Sequence, residues 1–268
     1  MHATPSPTRP WVFLRGLIRQ HRHWEDFPER FRAAFPGTLV LLPDLPGNGD
    51  LCDRDSPLAI AGMVASVRKQ LASQHISGPV NVLALSLGAM TAIEWMRQFP
   101  EDIERAVLMN TSLRGMSTFS ERLRPDNYRA IFANLLRGRA GIEREQLVLD
   151  ISSNLYPHKA ALAEKWAGYA ATHPTSTANA LRQLTAAARY RAPAARPHEH
   201  VLLLQSLGDR LVNPVCSTRI ADTWRWPLQT HASAGHDLTL DDPDWVLARI
   251  ADWLGTHSGS PTINGDEK

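Results

Sequence analysis

Three residues far apart along the 268-residue chain have the types and settings for nucleophilic acyl chemistry: Ser86, Asp209 and His236. Ser86 stands in Ala84-Leu85-Ser86-Leu87-Gly88, where an apolar run ends and a helical pattern begins. A serine in a sharp strand-to-helix turn has its hydroxyl lifted above the sheet. Small residues two before and two after it let helix backbone pack closely on strand. Ala84 stands where glycine is usual, and it is still small. Taken alone, the pattern also fits a serine that merely caps a helix. A neutral hydroxyl is a weak nucleophile, so it needs a base within reach and a group that orients the base. Of 11 histidines, His236 lies in the small-residue loop Ala234-Gly235-His236-Asp237, ahead of the final helical pattern. Asp209 directly follows the apolar run Val201–Leu204, whereas the corresponding place after Ala106–Met109 holds Asn110. The expected acid is therefore Asp209, with Asp237 pointing away from the imidazole or lying at the surface. The order Ser, Asp, His, each beyond a strand, is more specific than any one of them. Two backbone N–H groups are expected to receive the oxyanion: that of Leu87 at the helix start, and that of Leu17, where Gly16 lets the chain approach.

These groups meet only if strands and helices carry them to one edge. Trp11–Leu14, Thr38–Leu42, Val80–Leu85, Ala106–Met109 and Val201–Leu204 read as buried strands, and Leu228–His231 as a short last one. Pro57–His75, with Ser56 as N-cap, reads as a helix, as do Leu87–Phe99 and Asp242–Trp253; in the last, Asp242 caps and Pro243 takes the first helical position. Strands of continuous apolar character alternating with helices predict an α/β fold whose mostly parallel sheet is covered on both faces. Residues 113–196 break the rhythm with helical patterns alone: Tyr128, Ile131, Phe132, Leu135 and Leu136; then Leu162, Trp166 and Tyr169; then Leu181, Leu184 and Ala188. The expected organisation is a core of 1–112 and 197–256, a helical cap of 113–196, and a disordered tail over 257–268. The apolar positions of the cap serve equally as core or as pocket lining at this level.

Composition narrows the class. Hydrophobic residues at 43% and charged residues at 21% are those of a globular protein. A net charge of +2 does not suggest a nucleic-acid partner. Cys52 and Cys216 form no CxxC pair, and no phosphate or dinucleotide glycine motif occurs. No cofactor is expected. No metal is expected either, since His21 with His23, and His198 with His200, lack further ligands at fixed spacing. No apolar run reaches the length of a membrane span, and a cytoplasmic location is the expectation. Charge is uneven: 113–196 holds 13 Lys and Arg against 6 Asp and Glu, a charge of +7, whereas the remainder carries −5. That segment reads as a solvated helix surface or as a patch attracting an anionic substrate or carrier.

With Arg15-Gly16…Trp24, Asp44-Leu-Pro-Gly-Asn-Gly49, the Ser86 turn, Gly208-Asp209-Arg-Leu-Val and Gly235-His236, the chain resembles capped serine hydrolases of the α/β-hydrolase superfamily. It is similar to the esterase-like members, among them the pimeloyl carrier-protein methyl esterases. The resemblance spans Trp11 to Trp253 and implies an α/β-hydrolase fold, ester or thioester hydrolysis through an acyl-enzyme, and substrate selection by the cap. It implies Arg15, Gly16 and Trp24 as substrate contacts. Arg15 replaces the histidine common in the family, which puts a cation at the pocket mouth or substitutes for a loop-bracing imidazole. The substrate is expected to be a small-molecule ester, or an ester or thioester on an acidic carrier met by arginines such as Arg122, Arg124, Arg137 and Arg139. Carbon–carbon bond hydrolases, perhydrolases and the lyase of menaquinone synthesis use a serine triad on this fold too, and a non-catalytic binding protein is a further alternative. No oligomeric state is implied.

Overall fold

The structure, a computed structural model, describes residues 9–129 and 141–257. Six strands form one parallel sheet in the order β2-β1-β3-β4-β5-β6: β1 Trp11–Leu14, β2 Val40–Leu41, β3 Val80–Leu85, β4 Ile103–Met109, β5 Val201–Ser206 and β6 Leu228–His231. Strand side chains alternate between two cores. Val12, Leu14, Val82, Ala84, Ala106 and Leu108 enter one; Trp11, Phe13, Leu83, Leu85, Val107 and Met109 enter the other. Helices α2 (Ile60–Ser73), α3 (Leu87–Gln98) and α8 (Val215–Trp224) cover the first face. Helices α1 (Phe27–Ala34) and α10 (Pro243–His257) cover the second, where Phe13 meets Phe31 edge-on with centroids 5.0 Å apart. Two-faced burial is why the strands read as unbroken apolar runs.

Several boundaries differ from the sequence reading: β4 begins at Ile103, β5 ends at Ser206 and the last helix runs to His257, and two further differences have a physical reason. The Thr38–Leu42 run yields only the two-residue β2, an edge strand paired through Trp11↔Val40 and Val12↔Leu41. Helix α2 begins at Ile60, and Ser56 does not cap it. Ser56 is fully buried instead; its hydroxyl donates to the Pro46 carbonyl (2.6 Å) and its N–H donates to Asn179 Oδ1 (2.8 Å). Asp242 does cap α10, accepting the Trp245 N–H at 3.0 Å.

Between β4 and β5 the described residues form helices α4 (Phe119–Arg122), α5 (Ile142–Ser152), α6 (Lys159–Thr172) and α7 (Thr177–Arg189), with isolated bridges only at Arg114. Leu149, Leu162, Ala163 and Trp166 form a small core of their own, which also takes Leu240 of the short helix α9 (Leu238–Asp241). The expected pattern over Ile131, Phe132, Leu135 and Leu136 lies outside the described residues, as does the tail beyond His257.

Candidate active site

Ligand clefts of parallel sheets lie beyond the carboxyl ends of the strands, where neighbouring connections run to opposite sides. Here that point falls between β1 and β3. Their register, Leu14↔Ala84, sets the loop Arg15-Gly16-Leu17 beside Ser86. Ser86 links β3 to α3 at φ 57° and ψ −113°, a left-handed conformation that a non-glycine residue holds only at a cost. The turn is held by the Ser86 N–H donating to the Met109 carbonyl at 3.0 Å, and by Thr111 Oγ1 donating to the Ser86 carbonyl at 3.0 Å. Gly88 is required by contact: a Cβ there would lie 2.2 Å from the Leu14 carbonyl oxygen. A Cβ on Gly16 would lie 3.3 Å from the Ser86 Cβ, so this loop roofs the serine.

Asp209 and His236 meet from β5 and β6. His236 Nδ1 lies 2.7 Å from Asp209 Oδ2, with both residues almost wholly buried. Asp209 Oδ1 accepts the N–H groups of Leu211 (2.8 Å) and Val212 (2.9 Å), which fixes the carboxylate plane. A carboxylate at Nδ1 places the ring proton there and leaves Nε2 as the basic nitrogen. Gly208 and Gly235 let these loops interlock; a Cβ on Gly208 would lie 2.5 Å from the Ala234 carbonyl oxygen.

Ser86 and His236 line one cavity of about 720 Å³, together with Gly16, Leu17 and Leu87. The Leu87 N–H heads α3, where first-turn N–H groups have no intrahelical acceptor. The Leu17 N–H donates to no backbone carbonyl among the described residues. The next N–H, that of Ile18 (φ 59°), donates to Gln183 Oε1 at 2.9 Å. Gln183 is fully buried on α7 and also reaches Asn48 and Ser56, so it ties this loop to the helical segment. Standing between Arg182 and Leu184, this glutamine gave no local sequence signal. Leu181, Leu184 and Ala188 line the cavity, which settles for that helix which of two roles they serve.

Arg15 and Trp24 sit differently from expectation. Arg15 is 5% exposed; its guanidinium grips Asp237 by NH1–Oδ1 (3.2 Å) and NH2–Oδ2 (2.6 Å) and lies 4.7 Å over the Trp24 ring. It braces a loop and is no free cation at a mouth, although one edge borders the cavity. Asp237 is accordingly buried, not at the surface. Burial pushes its carboxyl up, but the Arg15 charge and hydrogen bonds from Arg15 and Thr239 outweigh that and hold it below its ordinary value. Trp24 packs against Phe13 in the core and does not line the cavity. Of the arginines considered for a carrier, Arg122 borders the cavity and donates to the carbonyls of Ala187 (2.5 Å) and Ala188 (3.2 Å), and Arg124 donates to the Asp209 carbonyl (3.0 Å). Arg137 and Arg139 lie outside the described residues.

His21, Asp44 and Asp50 place ligand atoms within 4.8 Å of one another. The Asp44 carboxylate is already occupied by the His21 N–H (2.7 Å), His21 Nδ1 (2.8 Å) and the Asp50 N–H (2.9 Å). Among the described residues no helix is long and apolar enough to cross a membrane.

Residues 11–249 match the model of the alpha/beta hydrolase family. The chain belongs to that family. Solved structures agree on the fold. The putative non-heme bromoperoxidase BpoC from Mycobacterium tuberculosis H37Rv is 22% identical, with a TM-score of 0.70 over 92% of each chain. A thermophilic esterase from Thermogutta terrifontis is 17% identical, with a TM-score of 0.72 over 95% of this chain and 96% of that one. The enol-lactonase from Burkholderia xenovorans LB400 is 17% identical, with a TM-score of 0.73 over 92% of each. Comparison with curated proteins gives no match.

Proposed function

We propose that this hydrolase cleaves a carboxylic ester or thioester, with Ser86 as nucleophile, His236 as base and Asp209 as the orienting acid. The observation that carries the reading is the 2.7 Å contact from Asp209 to His236 Nδ1, which turns Nε2 into a base on the wall of the cavity that Ser86 also lines. In the reaction, Nε2 takes the Ser86 proton as Oγ attacks the carbonyl carbon. The negative oxygen of the tetrahedral intermediate is received by the Leu17 and Leu87 N–H groups. His236 then gives the proton to the departing alcohol or thiol, and water activated by the same nitrogen releases the acid. Residues 113–196 act as a cap whose cavity-facing side chains, such as Leu181 and Leu184, select the substrate. Labelling with a fluorophosphonate and turnover of p-nitrophenyl esters of increasing chain length test the reading. The wild-type protein takes one label and Ser86→Ala takes none. An unlabelled wild type, or a labelled Ser86→Ala, overturns it.

A further inference from the structure

We infer that the substrate carries a carboxylate at the end of an apolar chain and that Arg144 receives it; this rests on the acyl-hydrolase reading and specifies its substrate class. Among the described residues, the cavity is lined by four arginines and a single carboxylate. Arg15 is matched by Asp237 at 2.6 Å. Arg19, 8% exposed, is matched by Glu145 at 2.6 Å, lies 4.8 Å over the Trp166 ring, and also donates to His23 Nε2 at 3.1 Å. Arg122 has no ion pair among the described residues and its Nε is buried without a hydrogen-bond partner, but both its terminal nitrogens are spent on the Ala187 and Ala188 carbonyls, so no fork is free to receive a carboxylate.

Arg144 is left over. Its one ion pair among the described residues runs from Nε to Glu145 Oε1 at 3.5 Å, and that carboxylate already serves Arg19. Glu145 is 1% exposed and supplies one negative charge between two guanidinium groups. Residues 130–140, which precede Arg144 in the chain, hold two arginines and no acidic residue. Neighbouring His23 brings no charge: burial and then Arg19 hold its pKa well below the ordinary value, so its ring is neutral. Arg144 also sits in the first turn of α5, where the helix dipole disfavours a cation and favours an anion. Burial draws its pKa down, against the pull of Glu145. Arg144 is 23% exposed, so it is partly desolvated with only a shared carboxylate beside it, a cost that an anion arriving with the ligand would offset.

The geometry gives the reach. Arg144, Leu147, Val148 and Ile151 recur at helical spacing and all line the cavity. The same helix ends at Ser152, whose carbonyl accepts the Asp237 N–H at 2.8 Å, beside His236. Eight residues of helix rise about 12 Å. A substrate that places its ester at Ser86 and its chain along Leu147, Val148 and Ile151 therefore ends at Arg144, whose planar fork suits a carboxylate.

The test compares p-nitrophenyl half-esters of saturated dicarboxylic acids, over a range of lengths, with the neutral alkanoate esters of equal length. The wild type is expected to favour the half-ester at its best length by about ten- to a hundredfold in kcat/KM, carried by KM, as for a hydrogen bond to a charged group. The ratio should collapse toward unity in Arg144→Gln and be partly kept in Arg144→Lys, with thermal melts confirming that both fold. A wild-type ratio near unity, or an unchanged ratio in Arg144→Gln, overturns the inference. Calorimetry on Ser86→Ala separates this from the acyl-hydrolase reading: a saturated carboxylate should bind more tightly than the primary amide of the same length, and only while Arg144 is present. If no ester is turned over and fluorophosphonate leaves the wild type unlabelled, the acyl-hydrolase reading falls. The titration alone then decides for or against the anion subsite.

Discussion

Two histidine–aspartate pairs lie five residues apart, and they differ in which ring nitrogen the acid holds. Asp209 meets His236 at Nδ1 at 2.7 Å, leaving Nε2 for the cavity. Asp242 meets His231 at Nε2 at 3.1 Å, while His231 Nδ1 accepts the N–H groups of Ser233 (3.2 Å) and Ala234 (2.8 Å). His231 has spent both nitrogens on bracing the loop that leads to His236, and its ring packs edge-on against Trp245 at 5.1 Å. Under the proposed mechanism, the same pair of residue types makes a base in one place and a strut in the other.

Substitutions make that contrast measurable. Ser86→Ala or His236→Ala should lower kcat roughly 10⁴–10⁶-fold, and the double variant should lose little more than either, as expected of groups acting as a unit. Asp209→Asn should cost up to about 10⁴-fold by favouring the wrong tautomer, whereas Asp242→Asn should leave kcat close to wild type. Equal losses in the two asparagine variants would erase the distinction. Arg15→Met leaves the Asp237 carboxylate buried without its partner and should cost about 3–5 kcal/mol in denaturant unfolding, most of it regained in Arg15→Met/Asp237→Leu. His231→Ala should cost about 1–3 kcal/mol by orphaning two N–H groups, with kcat retained. The smallest effect is one of pH. His23 is kept neutral in the fold, chiefly by burial and then by Arg19, while the unfolded ring titrates near ~6.5. Its contribution to stability is complete above that pH and is lost as pH falls toward the lower folded value. Thermal melts of His23→Gln should show a shallower acid-side slope than wild type.

The sheet was legible because burial on both faces leaves long apolar runs, and β3, β5 and β6 appear within two residues of where the runs lie. The edge strand was overread, since Leu39 is apolar yet 49% exposed and pairing stops after Leu41. The places of Ser86, Asp209 and His236 were readable from turn chemistry at strand ends. What surrounds them was not. Arg15 and Asp237 are 222 residues apart, and Arg19 and Glu145 are 126 apart, so no local pattern announces either pair. Ser56 looked like a helix cap because caps are read from the next few residues, whereas its partners are Pro46 and Asn179. The family match over 11–249 confirms the α/β-hydrolase reading.

Arg15 belongs to the roof above Ser86, and Asp237 is the residue after His236. One guanidinium therefore fastens two loops that both border the cavity. Engineering that slackens one for a bulkier ligand should displace the other as well, so variants with altered selectivity should be sought on Leu181 and Leu184, which border the cavity without sharing that fastening.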